Sequence, residues 1–191
     1  MTARTALTYQ DYAALPDDGK RYEIHDGELS VMTAPTALHQ IVGANLFEIL
    51  CAHVKARRLG LVLYAPLDVI LSDRPGETTI LQPDIVYLDN DRLDALHLRG
   101  VDGPPTLAVE VFSPSTAITD RTRKRELYAR YRVPYLWFVD PDTRELAAHV
   151  LDSGEYRLAA RVSGSEPVDL PPFTDLGLVP SAIWPQFPIR P

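Results

Sequence analysis

The sequence predicts an α/β (α+β) fold built on a mixed β-sheet with helices over its faces. Three observations carry this reading: an alternating, turn-punctuated start, a central strand–helix–strand pattern, and two closing strand-like runs joined by a tight turn. The length of 191 residues points to one domain over 1–191. With 46% hydrophobic and 24% charged residues, the composition suits a globular chain with a sizeable core.

Thr8 can cap a short helix from Tyr9 to Leu15. Arg21–His25 and Glu28–Met32 flank Asp26-Gly27, a pair suited to a two-residue turn, so an N-terminal β-hairpin is expected. Ala37 to Arg58 predicts the longest helix, ended by Gly60. Its apolar stripe is Leu38, Ile41, Val42, Asn45, Leu46, Ile49, Leu50 and His53. Strands follow at Leu61–Leu71 (bent or edge-like around Pro66), Ile85–Leu88, Thr106–Phe112 and Tyr135–Val139, with a helix from Thr119 to Arg132 between the last two. Glu145–Leu151 and Glu155–Arg161 form the final hairpin around Asp152-Ser153-Gly154. Residues 163–191 carry seven prolines along with Phe173, Leu176, Leu178, Ile183, Trp184 and Phe187. They read as an extended tail docking its apolar groups on the domain. No Gly-rich loop joins a strand to a helix, which argues against a doubly wound nucleotide fold.

The formal charge of −7 excludes a generic basic coat, so any contact with nucleic acid must come from a local cluster. The single cysteine, Cys51, excludes an internal disulfide and a multi-cysteine metal site, and its place in the long helix reads as a buried small hydrophobe. His25, His39, His53, His97 and His149 lack zinc-ligand spacing. Ser113 and Ser115 lack a nucleophile-elbow context. No apolar run approaches the roughly 20 residues that span a bilayer. Nor does MTARTALTYQDY contain an apolar signal core, so a cytoplasmic protein without a membrane partner is expected.

Chemistry concentrates in three segments. In Thr106–Phe112, alternation sends Leu107, Val109 and Val111 to one face and Ala108, Glu110 and Phe112 to the other. Glu110 is then a carboxylate among apolar neighbours, readable equally as an ion-pair partner of an arginine or as a site residue. Asp84 follows Pro83 at the start of another apolar strand, where it alone reads as a turn aspartate. If these strands are neighbours, Asp84 and Glu110 converge, and with a backbone carbonyl such as that of Val111 and waters they suit Mg²⁺. On the helix, Lys124, Leu127, Tyr128 and Tyr131 share the inward face with Asp120 one turn earlier. Lys124 is either a snorkelling lysine or the cationic member of a carboxylate cluster. Six basic residues lie between Asp120 and Arg132, a run equally suited to solvating a surface helix.

These segments resemble the Uma-type family of restriction-like endonucleases in the PD-(D/E)XK nuclease superfamily. The resemblance rests on Tyr22-Glu23-Ile24 with Asp26-Gly27-Glu28, His39 opening a helix, and Pro83-Asp84. It continues through Val109-Glu110-Val111-Phe112-Ser113-Pro114-Ser115, Asp120-Arg121 with Lys124 and Tyr128, and Val133-Pro134 to Val139-Asp140-Pro141. It implies a restriction-endonuclease-like mixed central sheet flanked by helices, and hydrolysis of phosphodiester bonds in nucleic acid, chiefly DNA. Mg²⁺, with Mn²⁺ as a substitute, and a homodimer are also implied. Asp84 and Glu110 resemble the metal-binding acids, with the Val111 carbonyl as a further ligand. Glu23 resembles an additional acid from the hairpin, and His39, Gln82 and Asp120 are supporting polar groups. Phe112 stands where the E-x-K strand motif has lysine, and Lys124 resembles the migrated lysine of this family. Arg121, Arg123 and Arg125 are the expected nucleic-acid contacts. Tyr135-Leu136-Trp137 departs from the family's usual Glu-Tyr-Trp by losing an acid. The competing expectation is a catalytically silent nuclease-fold domain used for nucleic-acid binding or protein assembly.

Overall fold

The computed structural model describes residues 6–113 and 118–189, excepting the side chains of 118–120. Local chemistry accounts for its first elements. α1 (Tyr9–Ala13) starts at Thr8 with a reciprocal cap: the Thr8 hydroxyl accepts from Asp11 N–H, and the Asp11 carboxylate accepts from Thr8 N–H at 2.8 Å. β1 (Arg21–His25) and β2 (Glu28–Met32) pair antiparallel, turning through Asp26 at φ 54° and Gly27 at φ 79°. α2 (Ala37–Arg57) ends at Arg58, which itself adopts the left-handed conformation, so Gly60 is not the cap expected of it. Gly60 instead opens β3 (Gly60–Tyr64), where an added Cβ would lie 2.0 Å from the Leu88 carbonyl oxygen.

The single strand expected over Leu61–Leu71 is two strands in different sheets, β3 and β4 (Val69–Ser72), separated by Ala65-Pro66. Then come β5 (Thr79–Leu81), β6 (Ile85–Asp89), β7 (Leu96–His97), β8 (Gly100–Asp102) and β9 (Leu107–Val111). α3 (Ile118–Arg130), β10 (Tyr135–Asp140), β11 (Glu145–Asp152) and β12 (Glu155–Val162) complete the series.

One sheet runs β12-β11-β10-β9-β6-β3, with β9 and β10 parallel and the other pairs antiparallel. A second sheet, β2-β1-β5-β4-β8-β7, contains the N-terminal hairpin. The mixed sheet flanked by helices is therefore joined by a second mixed sheet, whose β5, β7 and β8 were absent from the sequence expectation. Strands of two or three residues are too short to display a period.

On one face of the first sheet, Val42, Leu46, Leu50 and Val54 of α2 pack with Leu107, Val109, Val111 and Trp137. Leu170, Phe173, Leu178, Ile183 and Trp184 join that core and Leu176 packs against it, whereas Phe187 is exposed. Trp137 Nε1 donates to Pro171 O at 2.8 Å, and the Asn45 amide donates to Ile183 O at 2.9 Å. On the other face, Val86, Ala108 and Leu136 pack against Leu127 and Tyr128 of α3 and against Val69 and Leu81 of the second sheet. The expectation that no segment is apolar enough to span a bilayer needs correction: α2, with 21 residues, is long and apolar enough by composition. Its Val42, Leu46 and Leu50 nevertheless lie fully buried in the core. Cys51, expected to be buried, is half-buried.

Candidate active site

The site lies where the strand ends of the first sheet meet β1 and α3. β9 alternates as expected: Leu107, Val109 and Val111 enter the core under α2, and Ala108 enters the opposite layer. Glu110 shares the Ala108 side. β6 and β9 pair antiparallel, with Ile85 opposite Val109 and Val86 opposite Ala108. Continuing that register by one residue sets Asp84 opposite Glu110 on the same face, the spacing at which cross-strand side chains meet. Asp84 Oδ2 also accepts from Val111 N–H at 2.8 Å, which locks the start of β6 to the end of β9. Phe112 N–H donates to Val139 O on the opposite side, so the Val111 carbonyl faces the same side as its own N–H, toward Asp84.

Lys124 reaches this face from α3. Its ammonium donates to Glu110 Oε1 and Oε2 at 3.2 and 3.1 Å and to Glu23 Oε1 at 2.9 Å, while the residue is only 4% exposed. Burial disfavours its charge, but Glu110, Glu23 and Asp84 outweigh that and hold its pKa above the ordinary lysine value. Tyr128, one turn later, donates from its hydroxyl to Glu110 Oε1 at 2.6 Å. Glu23 is fully buried; Gln82 N–H donates to its Oε1 at 2.8 Å, and His25 Nε2 lies 2.9 Å from its Oε2. Glu23, Glu110 and Lys124 therefore form one hydrogen-bonded group, whereas the sequence expectation set Lys124 with Asp84 and Glu110 and took Glu23 as an additional acid.

Asp84 is flanked by His39, whose Nε2 is 3.2 Å from Oδ2, and by Arg21, whose Nη1 is 3.6 Å from Oδ1. Gln82 serves as a brace. It accepts from Arg21 Nε at 3.0 Å through its amide oxygen, and its amide nitrogen donates to Asp68 Oδ1 at 2.8 Å and to the Tyr12 hydroxyl at 3.2 Å. Arg21, His25, Asp68 and Tyr12 are neighbours that the sequence reading did not assign. Their one legible signal is the alternation Arg21, Glu23, His25 in β1, a polar row in which folding buries Glu23 and His25 and half-buries Arg21. The Asp120 side chain lies outside the described residues.

Burial opposes ionisation of all three acids. At Glu23, Lys124 and His25 overcome it and hold the carboxyl down at about 2. At Asp84, the hydrogen bonds of His39 and Val111 N–H lower it from the ordinary value. Glu110 is pushed up to about 7, because burial is reinforced by the charges of Asp84 and Glu23, against which Lys124 works. The excess of negative potential is therefore felt most strongly at Glu110, where ionisation is hardest.

That excess fits a divalent cation. Among the described residues no three His, Cys, Asp or Glu side chains form a ready metal cage. Two carboxylates and a backbone carbonyl suit a water-rich divalent-cation site rather than an enclosed one. Asp84, Glu110 and the Val111 carbonyl are the residues that would hold it.

The three expected arginine contacts are engaged within the protein. Arg123 donates to His25 O at 2.7 Å and to Glu28 Oε2 at 2.8 Å, and Arg125 donates to Tyr156 O at 2.7 Å. The Arg121 guanidinium stacks 3.5 Å from the Phe112 ring centroid.

Acids at paired strand ends, a helix-borne lysine beside them and a helix-flanked mixed sheet define a restriction-endonuclease-like fold. The chain belongs to the Uma2 family, described as “Putative restriction endonuclease”, which it matches over residues 9–182. It is similar to the crystal structure of a “putative nuclease belonging to DUF820” from Anabaena variabilis ATCC 29413, with a TM-score of 0.75 and 17% identity over 93% of this chain and 97% of that one. No curated protein matches the sequence significantly.

Proposed function

We infer that this protein is a divalent-metal-dependent nuclease that hydrolyses phosphodiester bonds, with DNA as substrate and Mg²⁺, replaceable by Mn²⁺, as the metal. The observation that carries the reading is the β6–β9 register, which carried one residue further opposes Asp84 to Glu110, with the Lys124 ammonium 3.1 Å from Glu110. Membership of the Uma2 family supports it.

A bound divalent ion would supply Lewis acidity toward a phosphate oxygen and a more acidic water. The protein's own residues supply the rest. Lys124, clamped between two carboxylates, is an ammonium, so its role is to donate to a developing negative oxygen rather than to abstract a proton. Glu23 anchors that ammonium and keeps it from following substrate. Tyr128 orients Glu110, and His39 with Val111 N–H fixes Asp84 Oδ2, leaving Oδ1 toward the open side with Arg21. Exposed Leu29 and Val31 on edge strand β2 supply an apolar face for the homodimer that belongs to this reading.

The test is cleavage of single- and double-stranded DNA and of RNA with Mg²⁺ or Mn²⁺, for the parent protein and for Asp84→Ala and Lys124→Ala. Metal-dependent cleavage lost in both variants is expected. Cleavage unchanged in them would remove the assignment, and binding without cleavage would favour the silent nuclease-fold reading.

A further inference from the structure

Beside Asp84, on the α2 side of the first sheet, lies a cleft of about 480 Å³ whose inner end is shared with the hydrolytic site. Its size falls in the range of small-ligand sites, roughly 300–1,000 Å³. One wall is a single face of α2, where Gln40, Gly43, Ala44 and Phe47 succeed one another at helical spacing. The other wall is Tyr64 at the end of β3. Tyr64 pairs with Ile85, so it stands one residue from Asp84 along the sheet. Its ring packs on Phe47 at 4.9 Å and 63°, yet the residue remains 64% exposed. Arg21, His39 and Asp84 lie at the inner end. His39 is 9% exposed, and its Nδ1 is buried without a hydrogen-bond partner among the described residues.

We propose that this cleft binds an unpaired nucleobase of the substrate, stacked on Tyr64, with the attached phosphate directed to Asp84 and Arg21. The proposal rests on the nuclease reading and deepens it to a substrate class: single-stranded or locally unpaired nucleic acid. Two features select a base over another apolar group. Tyr64 meets Phe47 in an edge-type contact rather than a face-to-face stack and stays exposed, which leaves ring surface for a base. The inner end combines a cation with the candidate metal acid, matching the phosphate that follows a base. Bases inside a duplex are stacked on one another and cannot present a face to a tyrosine ring at the cleft wall. The net charge of −7 and the internal use of Arg123 and Arg125 leave little backbone attraction, so affinity must come from the base.

Fluorescence anisotropy of labelled oligothymidine and oligouridine octamers in EDTA, with an abasic octamer as control, separates binding from hydrolysis. The parent protein is expected to bind base-bearing octamers about tenfold or more tightly than the abasic strand, within the span of base–aromatic stacking. Tyr64→Ala should abolish that advantage, and Tyr64→Phe should retain it within about twofold. Gly43→Leu should block the cleft, because a Cβ at Gly43 meets open space and leucine is the better helix former. Comparing the two octamers shows whether the advantage follows the base on either sugar. Equal binding of the abasic strand, unchanged binding by Tyr64→Ala, or no binding by the parent would overturn the proposal. So would self-association that Gly43→Leu abolishes, which would assign the cleft to a second copy. Base preference without cleavage by any metal would retain the cleft and remove the nuclease reading, and cleavage without base preference would do the reverse.

Discussion

Replacing Lys124 by methionine keeps the side chain as far as its ε position and removes the ammonium shared by Glu23 and Glu110. The parent arrangement has Nζ within 3.2 Å of three carboxylate oxygens in a residue only 4% exposed. Removing one partner of a buried ion pair costs about 3–5 kcal/mol. The loss falls unevenly on the two acids. Glu23 keeps His25 at 2.9 Å and Gln82 N–H at 2.8 Å, whereas Glu110 keeps only the Tyr128 hydroxyl among its described hydrogen bonds. Glu110 can relieve the strain by taking a proton, and its pKa already stands at about 7 with Lys124 in place. Urea unfolding of the metal-free protein should therefore show a penalty of roughly 3–5 kcal/mol at pH 8 that shrinks toward pH 6. Lys124→Met/Glu110→Gln should recover most of it, since no charge is then left unpaired at Glu110. A pH-independent loss of about 1 kcal/mol or less, the value of an exposed ion pair, would refute the picture of a dry, charge-excess cluster.

Glu110→Gln should flatten one limb of the stability–pH curve. A carboxyl whose folded pKa is raised stabilises fully below the ordinary value of 4.5 and loses that contribution as pH rises through about 7. The variant should gain on the parent between pH 5 and 8 in denaturant titrations without metal. Binding a divalent ion requires ionised Glu110, so Mg²⁺ affinity by calorimetry should rise roughly tenfold per pH unit below about pH 7 and level off above it. Tyr128→Phe removes the 2.6 Å donor to Glu110 and should cost about 1.5–3 kcal/mol in urea unfolding where Glu110 is ionised. Trp184→Ala should cost about 3–5 kcal/mol by thermal or urea unfolding, because the tail residue is 4% exposed within the α2 core.

Local chemistry made much of this protein legible. Asp26-Gly27 and Ser153-Gly154 adopt the left-handed turns that tight hairpins need. The apolar stripe of α2 faces the core, and Glu110 lies on the face that alternation assigned to it. These features depend on residues within one or two turns of each other, so period and turn chemistry suffice. The failures share another cause. Leu61–Leu71 looks continuous because both halves are apolar, and nothing local tells that β3 and β4 join different sheets. The arginines of α3 looked free until Tyr156 and His25 offered backbone carbonyls to them.

The same division holds within the site. By itself the sequence determined which residue types are available: two acids on apolar strands, a lysine on the inner face of a helix, and a third acid in a polar row. Only the tertiary structure decided that β6 and β9 are neighbours in a register that opposes Asp84 to Glu110. Only it decided that Lys124 is shared between Glu110 and a glutamate 101 residues away in sequence. Side-chain chemistry is a property of each residue. Burial and Coulomb interaction depend on distances that long-range strand pairing sets, so the charge excess at Glu110 exists only in the folded chain.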